Sequence, residues 1–182
     1  MDGITIRAVH RHEWREVKAL RLRALQDEAA PIAFVDTFEE ASLRADEFWQ
    51  SRAAAASVEA GAAADARQFV AVASGTWVGS ATALVERPGS TDFEGNKIHR
   101  PGIAIVGVYL AETHRGRGIL PALLDATVDW ARELGLDHAR LQVHVDNARA
   151  RRAYERAGFR TAGAATDGLV GREIEMVRDI SG

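Results

Sequence analysis

The feature that most constrains the fold is a continuously apolar segment followed at once by an Arg- and Gly-rich loop. The segment "IAIVGVYLA" occupies residues 103–111, and "HRGRGILPALL" occupies residues 114–124. An uninterrupted apolar run is typical of a strand buried on both faces, inside a sheet that carries helices. From Ile119 onward the apolar residues recur at helical spacing, and Gly135 stands where a C-terminal cap is expected. The segment therefore predicts a strand, a loop and a helix in succession.

Patterns on either side of this unit extend the prediction to further strands and helices. Residues 4–9 alternate between apolar and polar side chains as a half-buried strand does. Residues 68–86 contain two β-type runs around the turn sequence "SGT", which predicts a hairpin. The remaining predicted elements are helices over 13–29, 39–56 and 147–158, strands over 139–145 and 172–180, and a turn over 166–168.

The second of these helices and the segment after it bear on how the chain is organised. Leu43, Phe48 and Trp49 form the apolar stripe that is predicted for the helix. The Ala- and Gly-rich residues 53–66 either extend this helix or form a connection, and the sequence leaves both open. The order of strands, then strand, helix, strand and helix, then strands favours a mixed α/β sheet in a single domain over residues 1–182.

Composition excludes several classes of protein. The chain has 182 residues, of which 47% are hydrophobic, and its 23 basic and 26 acidic residues give a formal charge of −3. This is an ordinary globular composition without the basic excess of a nucleic-acid binder. No apolar run is long enough for a membrane span and no secretion signal is evident, so we expect a cytoplasmic protein that binds neither membrane nor nucleic acid. The chain has no Cys, and its His residues form no ligand cluster, so we also expect no metal site.

The loop at residues 114–118 has the character of an anion-binding turn. Gly116 and Gly118 allow sharp turns and a close approach of a ligand to the main chain. The free N–H groups at the start of the following helix favour an anion such as phosphate or pyrophosphate. The spacing matches neither a Walker A loop nor the dinucleotide-binding fingerprint, and a tight strand-to-helix turn without a ligand explains it equally well.

A second motif lies in the helix at residues 147–158 and its flank. It consists of Asn147, Ala150, Tyr154, Gly158 and Phe159. Together with Arg115, Gly118 and Leu120 in the preceding loop, this pattern resembles that of the GNAT superfamily of acetyl-CoA-dependent N-acetyltransferases, and the resemblance is firm over residues 68–160. It implies an α/β (α+β) fold with a mixed, mostly antiparallel twisted sheet flanked by helices.

The resemblance also implies acetyl-CoA as the co-substrate, without a metal. It implies that the backbone N–H of Val108 stabilises the tetrahedral intermediate, that Leu110 binds the pantetheine arm through its main chain, and that Tyr154 protonates the departing thiolate. Leu120 stands where relatives have Gly or Ala, and it also fits the apolar stripe of its helix. The residues expected to bind the cofactor are Val108, Leu110, Arg115, Gly116, Arg117, Gly118, Ile119, Leu120, Asn147 and Tyr154.

The general base is not evident from the motifs. Some relatives carry a Glu on the buried strand at the place of Ala104, and N-terminal acetyltransferases carry one at the place of Gln142. The remaining candidates are His144 and Glu86, although a lone strand His is also a common packing residue. The resemblance implies direct attack by the amine, because no Cys and no G-x-S-x-G nucleophile motif is present.

We therefore expect an N-acetyltransferase that acts on a primary amine of a small molecule. The alternatives are a peptide or protein N-terminal acetyltransferase and a non-catalytic coenzyme A binding module. Aromatic and acidic residues within 34–49 either attract a cationic acceptor or form an ordinary solvated helix face. By the habit of the family we expect a homodimer, with the strand over 172–180 as an edge for pairing.

Overall fold

The computed structural model describes residues 3–181, and these residues form one eight-stranded sheet with helices on both faces. The strands are β1 (Ile4–Ala8), β2 (Ala66–Ala73), β3 (Thr76–Glu86), β4 (Gly102–Leu110), β5 (His138–His144), β6 (Arg160–Thr161), β7 (Thr166–Gly168) and β8 (Gly171–Asp179). The helices are α1 (Trp14–Ala24), α2 (Phe38–Ser42), α3 (Asp46–Ala55), α4 (Ile119–Glu133) and α5 (Ala148–Arg156).

The strands lie in the order β1-β2-β3-β4-β5-β8-β6, and β7 also pairs with β8. β4 and β5 are parallel, and the other described strand pairs are antiparallel. The predicted fold class, a mixed and mostly antiparallel sheet flanked by helices, is therefore confirmed.

Helices cover the two faces of the sheet because each presents an apolar stripe to it. On one face α4 buries Leu123, Leu124 and Val128 against the inward side chains of β3, β4 and β5. On the other face α1 and α3 pack over β2, where Trp49 and Val70 are fully buried. Apolar stripes at helical spacing in the sequence thus correspond to real buried faces.

A β-bulge in β4 determines where the sheet opens. Ser80 pairs with Tyr109 and Thr82 with Val106, so Gly107 and Val108 together stand opposite a single residue of β3. Gly107 takes a φ of 61°, in the left-handed region that suits glycine. The parallel ladder between β4 and β5 spans only the first two residues of β4 after Gly102. Beyond it, the second halves of the two strands line a cavity instead of pairing with each other.

The predicted hairpin turn after β2 and the predicted C-terminal cap of α4 are confirmed. Ser74 and Gly75 form the two-residue hairpin turn between β2 and β3, with φ values of 47° and 79°. Gly135, with a φ of 73°, follows the end of α4. Its N–H donates to the carbonyl of Arg132, and the N–H of Leu136 donates to the carbonyl of Ala131, which is the Schellman arrangement.

The prediction of one helix over residues 39–56 is wrong. The chain forms α2 and α3 with a break over 43–45, and Leu43 is 86% exposed. Leu43 and Trp49 are six residues apart, which places them about 120° apart around a straight helix, so both cannot face one core. The helix predicted over 13–29 likewise ends at Ala24. The Ala- and Gly-rich stretch is mostly a connection, because α3 ends at Ala55 and β2 begins at Ala66.

Two predictions for the end of the chain are also wrong. The "TDG" sequence is the strand β7 and not a turn, since Thr166–Gly168 pairs with β8 and the chain reverses after it at Leu169 and Val170. β8 is not a free edge. It pairs with β5 on one side and with β6 and β7 on the other, so its backbone groups are occupied within the chain.

Candidate active site

A cavity of about 460 Å³ opens where β4 and β5 separate. Val106 and Val108 line it from β4, and Gln142 and His144 line it from β5. These β5 side chains alternate with Leu141 and Val143, which belong to the core beneath α4, so the cavity extends over the opposite face of the sheet. The gap between the unpaired ends of β4 and β5 thus connects the two faces of the sheet.

The side of the cavity that faces away from the sheet, its roof, is formed by loops and by the helices on the sheet face that carries α1 and α3. Its apolar members include Phe34, Phe93 and Leu169, and its charged members include Arg21 and Arg52. A cavity with apolar walls and a few charged groups has the character of a small-molecule site.

Within the segment 34–49, Phe34 and Val35 line the cavity. Three of the five acidic residues of this segment have structural partners. Asp36 bonds to two arginines, Glu40 closes the capping box at the start of α2, and Asp46 pairs with Lys18. These contacts support the solvated-face interpretation of the segment.

The loop after β4 presents its backbone to solvent. Gly116 and Gly118 have φ values of 75° and 76°, and no heavy atom of residues 3–181 lies within 4 Å of a Cβ built at either. Gly118 is the N-cap of α4, where no side chain of the described residues caps the helix and the first turn has no acidic residue. The first N–H groups of α4 therefore face solvent beside an open glycine loop, and this arrangement fits a phosphate or pyrophosphate group.

Arg115 shapes this loop from within. Its Nε donates to the carbonyl oxygen of Leu110 at 3.0 Å, and its guanidinium forms an ion pair with Asp27. Arg149 approaches the same carboxylate at 3.4 Å. Arg117, in contrast, is exposed. Arg115 therefore fixes the turn between β4 and α4, while Arg117 is the arginine of this loop whose side chain faces solvent.

The first residues of α4 combine a core contact with an open backbone. The Ile119 side chain is fully buried, and Leu120 is half-buried and packs against the same core. Leu120 thus occupies its motif position as a packing residue. Pro121 follows in the first helical turn, where the missing N–H has no intrahelical acceptor.

α5 brings the second motif to the cavity. Asn147 caps the helix, because its Oδ1 accepts the N–H of Ala150 at 3.1 Å, and Asn147 and Tyr154 both line the cavity. Tyr154 lies two turns further along the same helix face and is 8% exposed. Burial raises the pKa of the Tyr154 hydroxyl to about 12, so the phenol keeps its proton at neutral pH.

His144 lines the cavity, and one of its ring nitrogens is hydrogen-bonded while the other is packed against the backbone. Nδ1 accepts the N–H of Asp146 at 3.2 Å, which requires the neutral ring to carry its proton on Nε2. Nε2 lies against Gly171, where an added Cβ would come within 3.1 Å of it. In this tautomer the ring has no free lone pair with which to take a proton from an amine.

Glu86 does not line this cavity. Its two carboxylate oxygens accept hydrogen bonds from Arg140 at 2.5 and 2.9 Å, and its side chain is 7% exposed. Arg140 also pairs with Asp92 at 2.8 Å and with Glu175 at 3.3 Å. This Arg140 cluster forms part of the wall of a second cavity of about 700 Å³, and it joins β3, β5, β8 and the β3–β4 loop.

Two carboxylates that the sequence did not single out lie between the two cavities. Glu94, from the β3–β4 loop, and Glu173, from β8, line both cavities together with Gln142. Burial, together with the negative charges of Glu173 and Asp92, raises the pKa of Glu94 above its usual value. The alternation of β8 places Glu173 opposite His144, but no local pattern connects Glu94 with β5.

Residues 3–181 contain no group of three His, Cys, Asp or Glu side chains arranged to hold a metal ion. In the same part of the chain no helix has the length and apolarity required to cross a membrane.

Known proteins share this architecture. A GNAT-family acetyltransferase from Streptococcus pneumoniae superposes with a TM-score of 0.76 at 16% identity, over 98% of this chain and 99% of that chain. YncA of Salmonella typhimurium, a putative acetyltransferase solved with its cofactor acetyl-CoA, gives a TM-score of 0.70 at 16% identity, over 99% and 95% of the two chains. The aminoglycoside acetyltransferase AAC(6')-Ib, solved with ribostamycin and coenzyme A, gives 0.69 at 21% identity, over 98% and 94%. At these identities the likeness establishes the fold.

Sequence comparison adds a family and a partial relative. Streptothricin acetyltransferase of Streptomyces lavendulae is 41% identical over 61 residues, which span 34% of this chain and about a third of that enzyme (32%). The sequence model described as "Acetyltransferase (GNAT) family" matches residues 20–159, which include both motifs and the strands between them. The chain therefore belongs to the GNAT acetyltransferase family.

Proposed function

We propose that this protein is an N-acetyltransferase that moves the acetyl group of acetyl-CoA to a primary amine of a small molecule by direct attack. The observation that carries the proposal is the separation of β4 and β5. The glycine loop follows the end of β4, and the cavity opens beside the same end of the strand, with Val108 and Tyr154 among its lining residues. Membership of the GNAT family supports the same reaction.

The residues of the loop fit the phosphate end of acetyl-CoA. The backbone from Gly116 to Leu120 would hold the pyrophosphate, because its glycines leave the N–H groups open to an anion. Arg117 would add a charge-assisted contact. Asn147, which lines the cavity, and the main chain of Leu110 at the end of β4 would contact the pantetheine arm. Relatives of the same fold were solved with acetyl-CoA or coenzyme A, which supports this assignment.

Two groups in the cavity lining suit the chemistry of acetyl transfer. The bulge at Gly107 interrupts pairing with β3, and such bulges leave backbone groups unpaired. The adjacent N–H of Val108 would stabilise the oxyanion of the tetrahedral intermediate. Burial raises the pKa of Tyr154 to about 12, so the phenol keeps its proton at neutral pH, and it would donate this proton to the departing thiolate.

The cavity supports a small acceptor over a peptide. Its volume of about 460 Å³ lies within the usual size of small-molecule sites, and its roof includes residues from three separate segments. Streptothricin and ribostamycin, named with two of the similar proteins, are small molecules. These names support the class of acceptor without identifying it.

The test is release of free thiol from acetyl-CoA in the presence of an amine panel. The panel contains streptothricin, ribostamycin, 2-phenylethylamine, spermidine and a short peptide with a free N-terminus. We expect amine-dependent thiol release with a small-molecule member. Release with the peptide alone would support the N-terminal acetyltransferase alternative, and cofactor binding by calorimetry without turnover of any member would support the non-catalytic module.

A further inference from the structure

We infer that Glu94 accepts the proton of the acceptor's ammonium group, at an amine site that Glu94 forms with Glu173 and Gln142. The inference rests on the proposed function and assigns its missing base. It differs from both candidates suggested by the sequence, because Glu86 is bound by Arg140 and His144 carries its proton on the nitrogen that faces Gly171.

The three side chains stand between the two cavities. Glu94, Gln142 and Glu173 each line the cavity of about 460 Å³ and also the neighbouring cavity of about 700 Å³. They come from the β3–β4 loop, β5 and β8, and therefore converge on the space from three separate elements. An acceptor that enters the smaller cavity meets this wall on the sheet face that also carries Val106 and Val108.

Two acceptor atoms in this wall lack a donor. The Oε2 atom of Glu173 and the Oε1 atom of Gln142 are buried, and neither has a hydrogen-bond partner among the described residues. Glu173 is 7% exposed. The Oε2 atom of Glu173 lies against Gly168, where an added Cβ would collide with it. A buried acceptor without a partner is unfavourable, so a ligand that donates to this wall would be stabilised. A primary ammonium group, with three N–H donors and one positive charge, matches two carboxylates and an amide oxygen.

The β3–β4 loop holds Glu94 in place. Asp92 accepts the backbone N–H groups of Glu94 at 3.0 Å and of Asn96 at 2.8 Å through Oδ1. Its Oδ2 pairs with Arg140 at 2.8 Å. The loop is therefore anchored to β5 two residues before Glu94, and the anchor directs the loop toward the cavity.

The charges around Glu94 tune it for proton transfer. Burial, then the charges of Glu173 and Asp92, raise the pKa of Glu94, while Arg140 and the amide of Gln142 act against the rise. Among the described residues, Arg21, Arg52, His144 and Tyr154 also line the smaller cavity, and the larger one is also lined by Glu86, Asp92, Lys97, His99, Arg100, His138, Arg140, Asp167 and Glu175. A carboxylate whose pKa moves toward neutrality is a stronger base than an ordinary surface glutamate.

The proton balance of the step is complete. Glu94 takes one proton from R–NH₃⁺, and the freed lone pair of nitrogen forms the N–C bond while the carbonyl π pair moves to oxygen beside the Val108 N–H. Collapse restores the C=O bond and breaks the C–S bond, and Tyr154 gives its proton to the thiolate. The second proton of the nitrogen replaces the one that Tyr154 lost, and the proton on Glu94 passes to solvent. One proton is released per acetyl group transferred.

Glu94→Gln keeps the shape of the side chain and removes the basic oxygen. Glu16→Gln is the matched control, because Glu16 is exposed on α1 and lines neither cavity. With 2-phenylethylamine at neutral pH we expect Glu94→Gln to lower kcat/KM about 10²- to 10⁴-fold, the range for loss of a general base. Glu16→Gln should match the wild type, and both variants should bind coenzyme A as the wild type does.

A second acceptor amine distinguishes the loss of proton transfer in Glu94→Gln from a structural defect in this variant. The two fluorines of 2,2-difluoro-2-phenylethylamine lower the pKa of its ammonium group, so much of this amine is already neutral at neutral pH. The loss caused by Glu94→Gln should shrink to about tenfold or less with it, as expected when the substrate arrives without the proton. For Glu173→Gln we expect a higher KM with little change in kcat, because Glu173 binds the amine without taking its proton.

The outcomes distinguish failure of the proposed function from failure of the Glu94 assignment alone. If no panel amine, fluorinated or not, supports thiol release by the wild type, the proposed function is wrong and the inference falls with it. If the wild type acetylates an amine and Glu94→Gln keeps its full rate, or loses the same factor with both phenylethylamines, only the assignment of Glu94 is wrong. If the wild type acetylates another panel member instead, the ratio of wild-type to Glu94→Gln kcat/KM is measured for that amine from neutral to alkaline pH. This ratio must decrease as the pH approaches the pKa of that amine.

Discussion

Replacement of Arg140 by Met tests how the polar face of the sheet is held together. The guanidinium bonds to Glu86 at 2.5 and 2.9 Å, to Asp92 at 2.8 Å and to Glu175 at 3.3 Å. The side chains of Glu86 and Asp92 are 7% and 5% exposed, whereas that of Glu175 is 37% exposed. Methionine fills much of the space that the apolar stem of Arg140 occupies, but it leaves the buried carboxylates of Glu86 and Asp92 without a counter-charge.

The expected cost follows from this difference in burial. Removal of one partner from a buried ion pair costs about 3–5 kcal/mol, and a half-exposed pair contributes at most about 1 kcal/mol. Arg140→Met should therefore lower the free energy of unfolding at neutral pH by about 3–5 kcal/mol. Glu175→Gln, which removes only the exposed partner, should lower it by at most about 1 kcal/mol.

The loss should depend on pH. Burial favours a raised pKa for Asp92, but the N–H groups of Asn96 and Glu94 and the charge of Arg140 outweigh it and lower the pKa. A lowered folded-state pKa contributes stability above the unfolded value, and this contribution disappears as the pH falls through the folded value. Without Arg140 the carboxyl group of Asp92 protonates more readily, because one cause of its lowered pKa is removed. The difference between the wild type and Arg140→Met should therefore be largest near neutral pH and shrink in acid.

Urea denaturation followed by circular dichroism, at neutral and at acidic pH, measures both effects. Arg140→Met combined with Glu86→Gln and Asp92→Asn should recover part of the loss, because no buried charge is then left unpaired. A loss below about 1 kcal/mol for Arg140→Met, or a loss of the same size at both pH values, would falsify the view that buried carboxylates depend on this arginine.

Three further predictions concern the cofactor loop, the acid and the assembly. Gly118→Val should abolish coenzyme A binding in calorimetry, whereas Gly89→Val, at another open left-handed position with a φ of 90°, should retain it; equal affinities would contradict the loop assignment. Tyr154→Phe should lower kcat about 10²- to 10⁴-fold with KM nearly unchanged, and full kcat in steady-state assays would mean that solvent protonates the thiolate. Light scattering should show a homodimer, and a monomer at assay concentrations would remove that expectation.

The local features of this protein could be predicted from the sequence because the interactions that form them are short in range. The end of α4 is closed by the N–H of Gly135, which bonds to the carbonyl of Arg132, and by the N–H of Leu136, which bonds to the carbonyl of Ala131. Asn147 caps α5 through the N–H of Ala150. The buried strand β4, the open loop at Gly116 and Gly118 and the first turn of α4 follow one another along the chain. These contacts are encoded within a few residues, so periodicity and cap residues identify them.

The family motifs positioned the cofactor end of the site for the same reason. The loop at Gly116 and Gly118 and the Asn147–Tyr154 pair each lie within one short segment whose spacing is visible in the sequence. The break between α2 and α3 was missed, because the burial of Trp49 depends on packing against β2 and not on its neighbours in the chain. Strand β7 was mistaken for a turn because its only partner, β8, follows it after a reversal that the composition did not reveal.

The acceptor end of the candidate site was decided by tertiary structure. Glu86 and Arg140 are 54 residues apart in the chain, and their pairing removes Glu86 from the cavity. Glu94 reaches Gln142 and Glu173 only because Arg140 anchors the β3–β4 loop through Asp92. A charged residue in a loop has no periodicity to mark it, and its pKa depends on which distant charges and walls surround it. The sequence by itself determined the succession of strand, glycine loop and helix, whereas burial and long-range ion pairing decided that Glu94 and Glu173 line the cavity.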